Sequence, residues 1–235
     1  MRILTIANQK GGISKTTTTT NIGAGLYRQG KNVLLVDLDT QGDLSYNLGA
    51  VEQKKSLVHV VNGNADLKDV IQKTKSGIDI IPSSMDLVEL ESRIATFDFS
   101  GLDYDYILID CPPNMAGNTV AAIRASDGVL VPTTADYYAY KSVKAIAESL
   151  RTLDRKLNGI VLTRFAGRMV INKQIHEDLK KLAEELGTKL YESVIRECVA
   201  VRESQLMQQD IFTYDASSSA AQDYAELIKE IMQEE

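Results

Sequence analysis

The sequence predicts an α/β fold, with a doubly wound and mostly parallel sheet that carries helices on both faces. Short runs of Ile, Val and Leu recur along the 235 residues, and longer amphipathic segments lie between them. Strands this apolar are typical of a sheet covered on both faces, and their alternation with helices indicates βαβ units. The strand-like runs are RILTIA (2–7), NVLLVDLD (32–39), IDIIP (78–82), YDYILID (104–110), DGVLVPT (127–133) and NGIVLT (158–163). The helical segments are TTTNIGAGLYRQG (18–30), ADLKDVIQKT (65–74), SVKAIAESLRTL (142–153), NKQIHEDLKKLAEELG (172–187) and AAQDYAELIKEIM (220–232).

The composition limits the classes of protein that fit. The chain is 44% hydrophobic and 25% charged, and we expect one domain over residues 1–235. No apolar run approaches the roughly 18 residues of a membrane helix, and no leader is expected before the first strand. Cys111 and Cys198 lie far apart without CxxC spacing, which argues against a zinc site and for a reducing cytoplasm. His59 and His176 show no metal-ligand spacing.

The first strand-like run leads into the stretch ANQKGGISKTT (7–17), and a helical pattern follows at once. Strand, glycine-containing loop and helix is the order that a phosphate-binding loop requires. Backbone N–H groups from Gly11 to Thr16 and the positive helix N-terminus would surround a β-phosphate. Lys15 would reach the β- and γ-phosphates, and the Thr16 hydroxyl would ligate Mg²⁺. The alternative is a plain glycine turn with a solvated lysine.

Carboxylates close two of the strand-like runs. VLLVDLD ends with Asp37 and Asp39, and YILID ends with Asp110. The carboxyl ends of strands in an open α/β sheet form the ligand crevice. There Asp110 would hold a Mg²⁺-bound water, and Asp39 could position the water that attacks the γ-phosphate. Asp37 is a further candidate for a metal contact through water. A helix cap or turn is the alternative role for any one of these carboxylates.

The motifs KGGISKTT, DLDTQG and LIDCPP, in this order, resemble those of the deviant P-loop ATPases of the MinD/ParA superfamily, and within them the ParA/Soj partition proteins. The resemblance extends over the whole chain, because GIDIIPSSMDLVELE and TYDASSSAAQDYAELIKEI also read like segments of that family in family order. It implies ATP and Mg²⁺ as ligands. It makes Lys10 the signature lysine, which crosses a dimer to touch the partner subunit's phosphates. Ser14 stands where the family most often has glycine, so a side chain there is expected either to restrict the turn or to add a hydroxyl near the phosphate.

The resemblance also assigns roles to single residues. Lys10, Lys15 and Asp39 are the expected catalytic residues, with Lys10 stabilising transferred charge as an arginine finger does. Arg164 and Arg196 are expected to flank the base, although ordinary surface arginines are an equal alternative. The expected nucleotide-binding residues are therefore Lys10, Gly11, Gly12, Ile13, Ser14, Lys15, Thr16, Thr17, Arg164 and Arg196.

The function implied by the resemblance is segregation of plasmid, chromosomal or mobile DNA. An ATP-dependent homodimer would bind DNA without sequence preference, and a ParB-like or centromere-binding adaptor would stimulate hydrolysis. No separate N-terminal DNA-binding domain is expected, and the ATP-bound form would associate with the nucleoid. The net charge is −6, yet residues 151–181 hold eight Lys/Arg against three Asp/Glu. The DNA-binding candidates in that segment are Arg168, Lys173, Lys180 and Lys181, of which the last two could equally complement a helix dipole.

Other functions share parts of this pattern. A MinD-like membrane-associated regulator has the same loop, but this chain ends AELIKEIMQEE, whose acidic turns would be repelled by anionic lipid, so no membrane partner is expected. An electron-transfer ATPase like nitrogenase iron protein would share an iron–sulfur cluster, for which neither Cys111 nor Cys198 is well placed. A ParA-like ATPase that positions a protein organelle stays open, because the sequence does not distinguish cargoes.

Overall fold

A computed structural model describes residues 1–51, 53–92, 95–166 and 170–234. The strands in these ranges are β1 (Arg2–Ile6), β2 (Val33–Asp37), β3 (Gln72–Lys73), β4 (Asp79–Ile81), β5 (Tyr106–Asp110), β6 (Gly128–Thr134) and β7 (Leu157–Thr163). They form one sheet in the spatial order β3-β4-β2-β5-β1-β6-β7. Neighbouring strands are parallel except β3 and β4, which are antiparallel. The predicted doubly wound, mostly parallel sheet is therefore confirmed.

Helices cover both faces of this sheet. They are α1 (Lys15–Arg28), α2 (Asp43–Asn47), α3 (Leu57–Val61), α4 (Val88–Glu91), α5 (Gly117–Ala125), α6 (Ala139–Thr152), α7 (Val170–Glu185), α8 (Val199–Leu206), α9 (Ile211–Asp215) and α10 (Ser219–Met232), with 3₁₀ turns at Leu67–Val70 and Met85–Leu87. One core lies between the sheet and α5, α6 and α7, and a second core lies between the sheet and α1 and α10. Among the described helices, none is both long and apolar enough to span a bilayer.

The central strand β5 shows why these residues form a two-faced sheet. Ile107 and Ile109 point into the first core, while Tyr106 and Leu108 point into the second, and all four are fully buried. Successive side chains of a strand alternate between faces, so a continuous apolar run is stable only where both faces are covered. Truncation of Ile109 to alanine would cost about 2–5 kcal/mol of folding free energy.

The helix predicted over residues 65–74 is wrong. The segment forms only the 3₁₀ turn Leu67–Val70 and then enters β3, which pairs with β4. A tight connection forces this pairing: Gly77 has φ 89°, and its N–H donates to the Thr74 carbonyl at 3.0 Å. Glycine adopts that left-handed conformation without a steric penalty, so the turn chemistry outweighs the helical pattern of the preceding residues.

The topology fixes where a ligand can bind. Strand β1 lies between β5 and β6, and the helices that follow β1 and β5 pack in different cores. Connections that leave neighbouring strands on opposite faces open a crevice at the carboxyl ends of those strands. The loops after β1, β2 and β5 begin at that crevice.

Candidate nucleotide site

A groove of about 620 Å³ opens at the carboxyl ends of the central strands. It is walled by the loop after β1, the loop after β2 and the segment that leads into α8. The sequence-predicted residues that line it are Gly11, Gly12, Ser14, Lys15, Thr16, Thr17, Asp39, Arg164 and Arg196. The predicted residue Ile13 instead packs inward at 1% exposure, and its carbonyl accepts the Thr163 hydroxyl at 3.1 Å.

Two residues of the phosphate-binding loop have backbone dihedral angles in the left-handed region, and they allow the loop to turn tightly into α1. Gly12 has φ 72° and Ser14 has φ 70°, and the Ser14 carbonyl accepts the Thr18 N–H at 2.8 Å as the first hydrogen bond of α1. An L-residue in this conformation is strained by roughly 1–2 kcal/mol. The backbone at Ser14 thus adopts a conformation suited to glycine even though the chain carries serine there.

Lys15 is held under the groove by its own loop. Its side chain is buried, and Nζ donates to the Lys10 carbonyl at 3.3 Å. Burial lowers the pKa of Lys15, while the charges of Asp110 and Asp39 oppose that shift. The ammonium therefore lies between the backbone of its own loop and the carboxylates of Asp110 and Asp39.

Asp110 ends β5 directly beneath the helix N-terminus. It is fully buried, and Oδ1 accepts the Thr19 hydroxyl at 3.2 Å, while Oδ2 has no hydrogen-bond partner among the described residues. Burial and then the neighbouring Asp37 raise the pKa of Asp110, and hydrogen bonding from Thr16 opposes the rise. A buried carboxylate oxygen without a donor costs free energy, and a hydrated cation would satisfy it. Together with the Thr16 hydroxyl, this oxygen fits a water-mediated Mg²⁺ site.

Asp37 stabilises the loop after β2 and is not among the residues that line the groove. Its Oδ2 accepts the Ser45 N–H at 2.8 Å and the Ser45 hydroxyl at 2.7 Å, and its Oδ1 accepts the Asp39 N–H at 3.2 Å. Burial raises the pKa of Asp37 to about 6 against these hydrogen bonds. Both carboxylate oxygens are therefore engaged by protein donors. A metal contact through Asp37 stays a prediction with a competing structural role.

Asp39 lies at the edge of the groove on a short, tied turn. Its Oδ1 accepts the Gln41 N–H at 3.0 Å, and its carbonyl accepts the Ser83 hydroxyl at 2.6 Å. The side chain is half-buried and lines the groove, where a water-positioning carboxylate would have to be. That catalytic role stays a prediction.

Lys10 lies outside the groove. Its ammonium forms an ion pair with Asp136, which follows β6, and it lies 6.0 Å from the ring centroid of Tyr138. Burial would raise the pKa of Asp136, but hydrogen bonds from Lys10 and from Thr134 outweigh burial and lower it. The two lysines of the loop therefore have different surroundings within one chain.

The two arginines predicted near the base are both engaged. Arg164 has φ 52°, and its guanidinium donates to the Gly12 carbonyl at 3.2 Å and contacts Glu197 at 3.3 Å. Arg196 contacts Asp223 at 2.6 Å and so ties the groove wall to α10. Arg164 thus lines the groove and contacts the phosphate loop. The Arg196 guanidinium instead stabilises the wall of the groove through its ion pair with Asp223.

Sequence reasoning missed several residues of the far wall. Gln205 on α8 donates to the Thr17 hydroxyl at 2.9 Å, and Arg202 pairs with Glu197 at 2.9 Å. The segment that becomes α8 is short and has no strong apolar periodicity, so it was not among the predicted helices. The run of threonines at the start of α1 is the sequence feature that indicates these contacts. The Thr19 hydroxyl donates to Asp110, and the Thr17 hydroxyl accepts a hydrogen bond from Gln205 on α8.

The predicted DNA-binding residues are only partly described. Arg168 lies outside the described residues. Lys173, Lys180 and Lys181 are exposed on α7 and do not line the groove, and Lys180 lies 3.7 Å from Glu192. The sequence of α7 holds three lysines and four acidic residues, so this helix by itself is not a basic face.

The groove combines the features of a phosphate-binding site: a loop of backbone donors, a buried ammonium and a buried carboxylate suited to a hydrated cation. The class that the fold and this site define is that of the P-loop nucleotide hydrolases.

Comparison with known proteins narrows this class. A family model described as an AAA domain matches residues 1–162. The sporulation initiation inhibitor protein Soj of Bacillus subtilis is 34% identical over 250 residues, which cover 98% of each chain. The chromosome partitioning protein ParA of Caulobacter vibrioides is 34% identical over 260 residues, which cover 100% of this chain and 95% of that protein. The septum site-determining protein MinD of Pyrococcus horikoshii, complexed with Mg-ADP, has a TM-score of 0.79 at 25% identity, with 98% of this chain and 95% of that chain covered. The chain belongs to the ParA/Soj family of Mg²⁺-dependent ATPases, and the expected ligands ATP and Mg²⁺ are confirmed.

Proposed function

We propose that the protein segregates DNA: ATP drives formation of a sandwich homodimer, the dimer binds DNA without sequence preference, and a ParB-like adaptor stimulates hydrolysis and release. The observation that carries this proposal is the separation of the two loop lysines. Lys15 lines the groove of its own chain, whereas the Lys10 ammonium lies outside it and pairs with Asp136, which precedes α6. A cation outside its own groove is available to the nucleotide of a second subunit. The ParA relative, which is named for chromosome partitioning, supports the choice of cargo.

The chemistry within one subunit follows from the groove. Mg²⁺ neutralises phosphate charge when it is bound, and the Thr16 hydroxyl and a water on the free oxygen of Asp110 would hold it. Lys15 would stabilise negative charge on the phosphates, and Asp39 would orient the attacking water. Lys10 of the second subunit would add the remaining cation. Hydrolysis then requires the dimer, and loss of the γ-phosphate removes the bias toward it.

The charges on the surface indicate that DNA binding needs two subunits. Helix α7 carries more acidic than basic residues, and the excess of cations over residues 151–181 also depends on exposed Arg151, Arg155 and Lys156 before β7. One subunit therefore presents a weak patch, and a dimer doubles the number of cations that one duplex meets. With six phosphate contacts per dimer, the logarithm of the binding constant would fall with the logarithm of salt concentration at a slope of about −5. We infer a cytoplasmic protein that associates with the nucleoid in the ATP state.

The test is binding to non-specific duplex DNA with ATP, with ADP and without nucleotide, titrated with salt. Asp39→Ala prolongs the ATP state, and Lys15→Ala is the matched control that removes nucleotide binding at the same groove. We expect salt-sensitive binding in ATP only, and strongest binding by Asp39→Ala. Equal binding in ATP and ADP, or none although an ATP dimer forms, would refute the proposal. Vesicles of anionic lipid, tested in parallel, would reveal a MinD-like function instead.

A further inference from the structure

The ion pair between Lys10 and Asp136 joins two segments that lie far apart in the sequence. Lys10 belongs to the loop after β1, and Asp136 lies between β6 and α6. The two side chains are 30% and 38% exposed, so the pair is accessible to solvent and to a second molecule. A pair of this exposure is weak enough to exchange, yet it gives Lys10 one defined position within its own chain.

Asp136 is a fixed acceptor. Its Oδ1 accepts the Tyr138 N–H at 2.9 Å, and its own N–H donates to the Thr134 carbonyl at 2.9 Å. Its Oδ2 accepts both the Thr134 hydroxyl and the Lys10 ammonium. These bonds form a local Asx-type turn that holds the carboxylate whether or not Lys10 is present. Lys10 is therefore the member of the pair that can move.

A second contact ties the same half of the loop to α6. The Gln9 side-chain amide donates to the Ser149 hydroxyl at 3.3 Å, and the Lys10 N–H donates to the Asn8 side-chain oxygen at 3.2 Å. The side chains of Gln9 and Lys10 thus contact α6 and the turn before it. A change in the position of Lys10 has to break the ion pair with Asp136 first.

We propose that Asp136 is a positioning residue that holds Lys10 within its own chain and opposes its transfer to the nucleotide of a second subunit. This inference rests on the ATP dimer of the proposed function. Two effects act in the same direction. The ion pair has to be broken in each subunit as the dimer forms, and the carboxylate left beside the interface would repel the incoming phosphates. Asp136 therefore limits how much dimer forms at a given protein concentration.

Removal of the charge at Asp136 should strengthen the dimer. Breaking one half-exposed ion pair of this kind changes the equilibrium constant for dimer formation by about two- to fivefold. Because two pairs break for each dimer, Asp136→Asn should lower the dimer dissociation constant by roughly 4- to 25-fold. Asparagine keeps an oxygen for the Tyr138 N–H and adopts the same turn, so the fold at the start of α6 is retained.

The experiment measures the dimer dissociation constant by sedimentation, in a non-hydrolysable ATP analogue with Mg²⁺. Asp69→Asn is the matched control, because Asp69 pairs with Lys55 in an exposed ion pair that lies outside the groove, and the substitution changes the net charge equally. Binding of the analogue to dilute monomer is measured for each variant, and it should not change. A merely structural role of Asp136 would alter stability or nucleotide binding and would not alter the dimer alone.

A second comparison connects the effect to Lys10. In a Lys10→Ala background, which is expected to stay monomeric in ATP, Asp136→Asn should not restore the dimer, because the gain requires a Lys10 that can transfer to the second subunit. A dimer that is equally strong or weaker in Asp136→Asn than in the unaltered protein would overturn the inference, as would an equal gain in Asp69→Asn. If Asp136→Asn folds poorly, Asp136→Ser removes the charge while its hydroxyl still accepts the turn N–H. Absence of an ATP dimer in the unaltered protein would overturn the proposed function itself. The dimer of the unaltered protein is therefore measured before that of any variant.

Discussion

Ser45 offers a direct test of how the loop after β2 is built. Its hydroxyl donates to Asp37 Oδ2 at 2.7 Å and accepts the Ser83 N–H at 2.9 Å, and the residue is 8% exposed. Asp37 and Ser83 each bond to the backbone of Asp39. The single hydroxyl of Ser45 therefore connects both supports of the candidate catalytic carboxylate.

The cost of Ser45→Ala follows from these two bonds. A hydrogen bond to a buried charged group contributes about 1.5–3 kcal/mol, and the orphaned Ser83 N–H adds roughly 1 kcal/mol. We therefore expect a loss of about 2.5–4 kcal/mol in the free energy of unfolding. Because the two residues that support Asp39 lose the hydroxyl that connects them, turnover of ATP should also fall by roughly tenfold. Affinity for ATP, which depends on the loop after β1, should stay close to that of the unaltered protein.

Urea denaturation at pH 7 measures the change in stability. Single-turnover hydrolysis measures the rate of ATP hydrolysis, and a nucleotide titration measures the affinity for ATP. Ser126→Ala is the matched control: Ser126 is also buried, but its hydroxyl donates to the Ile123 carbonyl at 3.0 Å at the end of α5, away from the groove. The control should lose about 1 kcal/mol and no activity. A loss under 1 kcal/mol in Ser45→Ala, or a loss of stability with normal turnover, would refute the account of this loop.

Three further variants test other parts of the structure. Lys15→Ala should abolish ATP binding measured by calorimetry, and an unaltered affinity would contradict the assignment of the loop. Lys10→Ala should bind nucleotide normally but stay monomeric in ATP by light scattering, because Lys10 does not line the groove of its own chain; an ATP dimer from this variant would contradict the role across subunits. Glu234→Gln tests the carboxylate that binds Arg2, Lys189 and Tyr191. Burial would raise the pKa of Glu234, but hydrogen bonds, first from Lys189, outweigh it and lower the pKa from 4.5 to about 2. The stabilisation, about 1–2 kcal/mol after solvent screening, is complete above pH 4.5 and lost as the pH falls toward 2, so the variant and the unaltered protein should differ at pH 7 and converge near pH 2 in urea denaturation.

The parts of the fold that the sequence predicts are those governed by local pattern. The run of residues 104–110 gives both the strand β5 and the carboxylate Asp110, because apolar periodicity and strand ends are features of neighbouring residues. The phosphate loop is recognisable for the same reason, since strand, glycines, lysine and helix follow one another within one short segment. Even Ser14, where the family pattern has glycine, could be identified as a conflict between side chain and backbone conformation.

The parts that the sequence does not predict depend on contacts between distant segments. Nothing near Lys10 indicates that its ammonium meets Asp136, and nothing near Arg196 indicates that Asp223 holds it. These partners come together only through the order of the strands and the packing of α6 and α10. Local pattern also failed at residues 65–74, where the tight turn at Gly77 decided between helix and strand.

The segment from Gln9 to Thr17, which comprises the phosphate loop and the first residues of α1, is held from both faces of the sheet. Gln9 and Lys10 contact Ser149 and Asp136, on the side of the first core, whereas Thr17 contacts Gln205 on the side of the second core. In the proposed dimer, a nucleotide in the groove would meet the second set of contacts, and a second subunit would meet the first set. Because both sets of contacts belong to one short segment, a backbone shift on nucleotide binding would reach Lys10 without any movement of the sheet. The dependence of the proposed dimer on nucleotide would then follow from contacts of this segment alone.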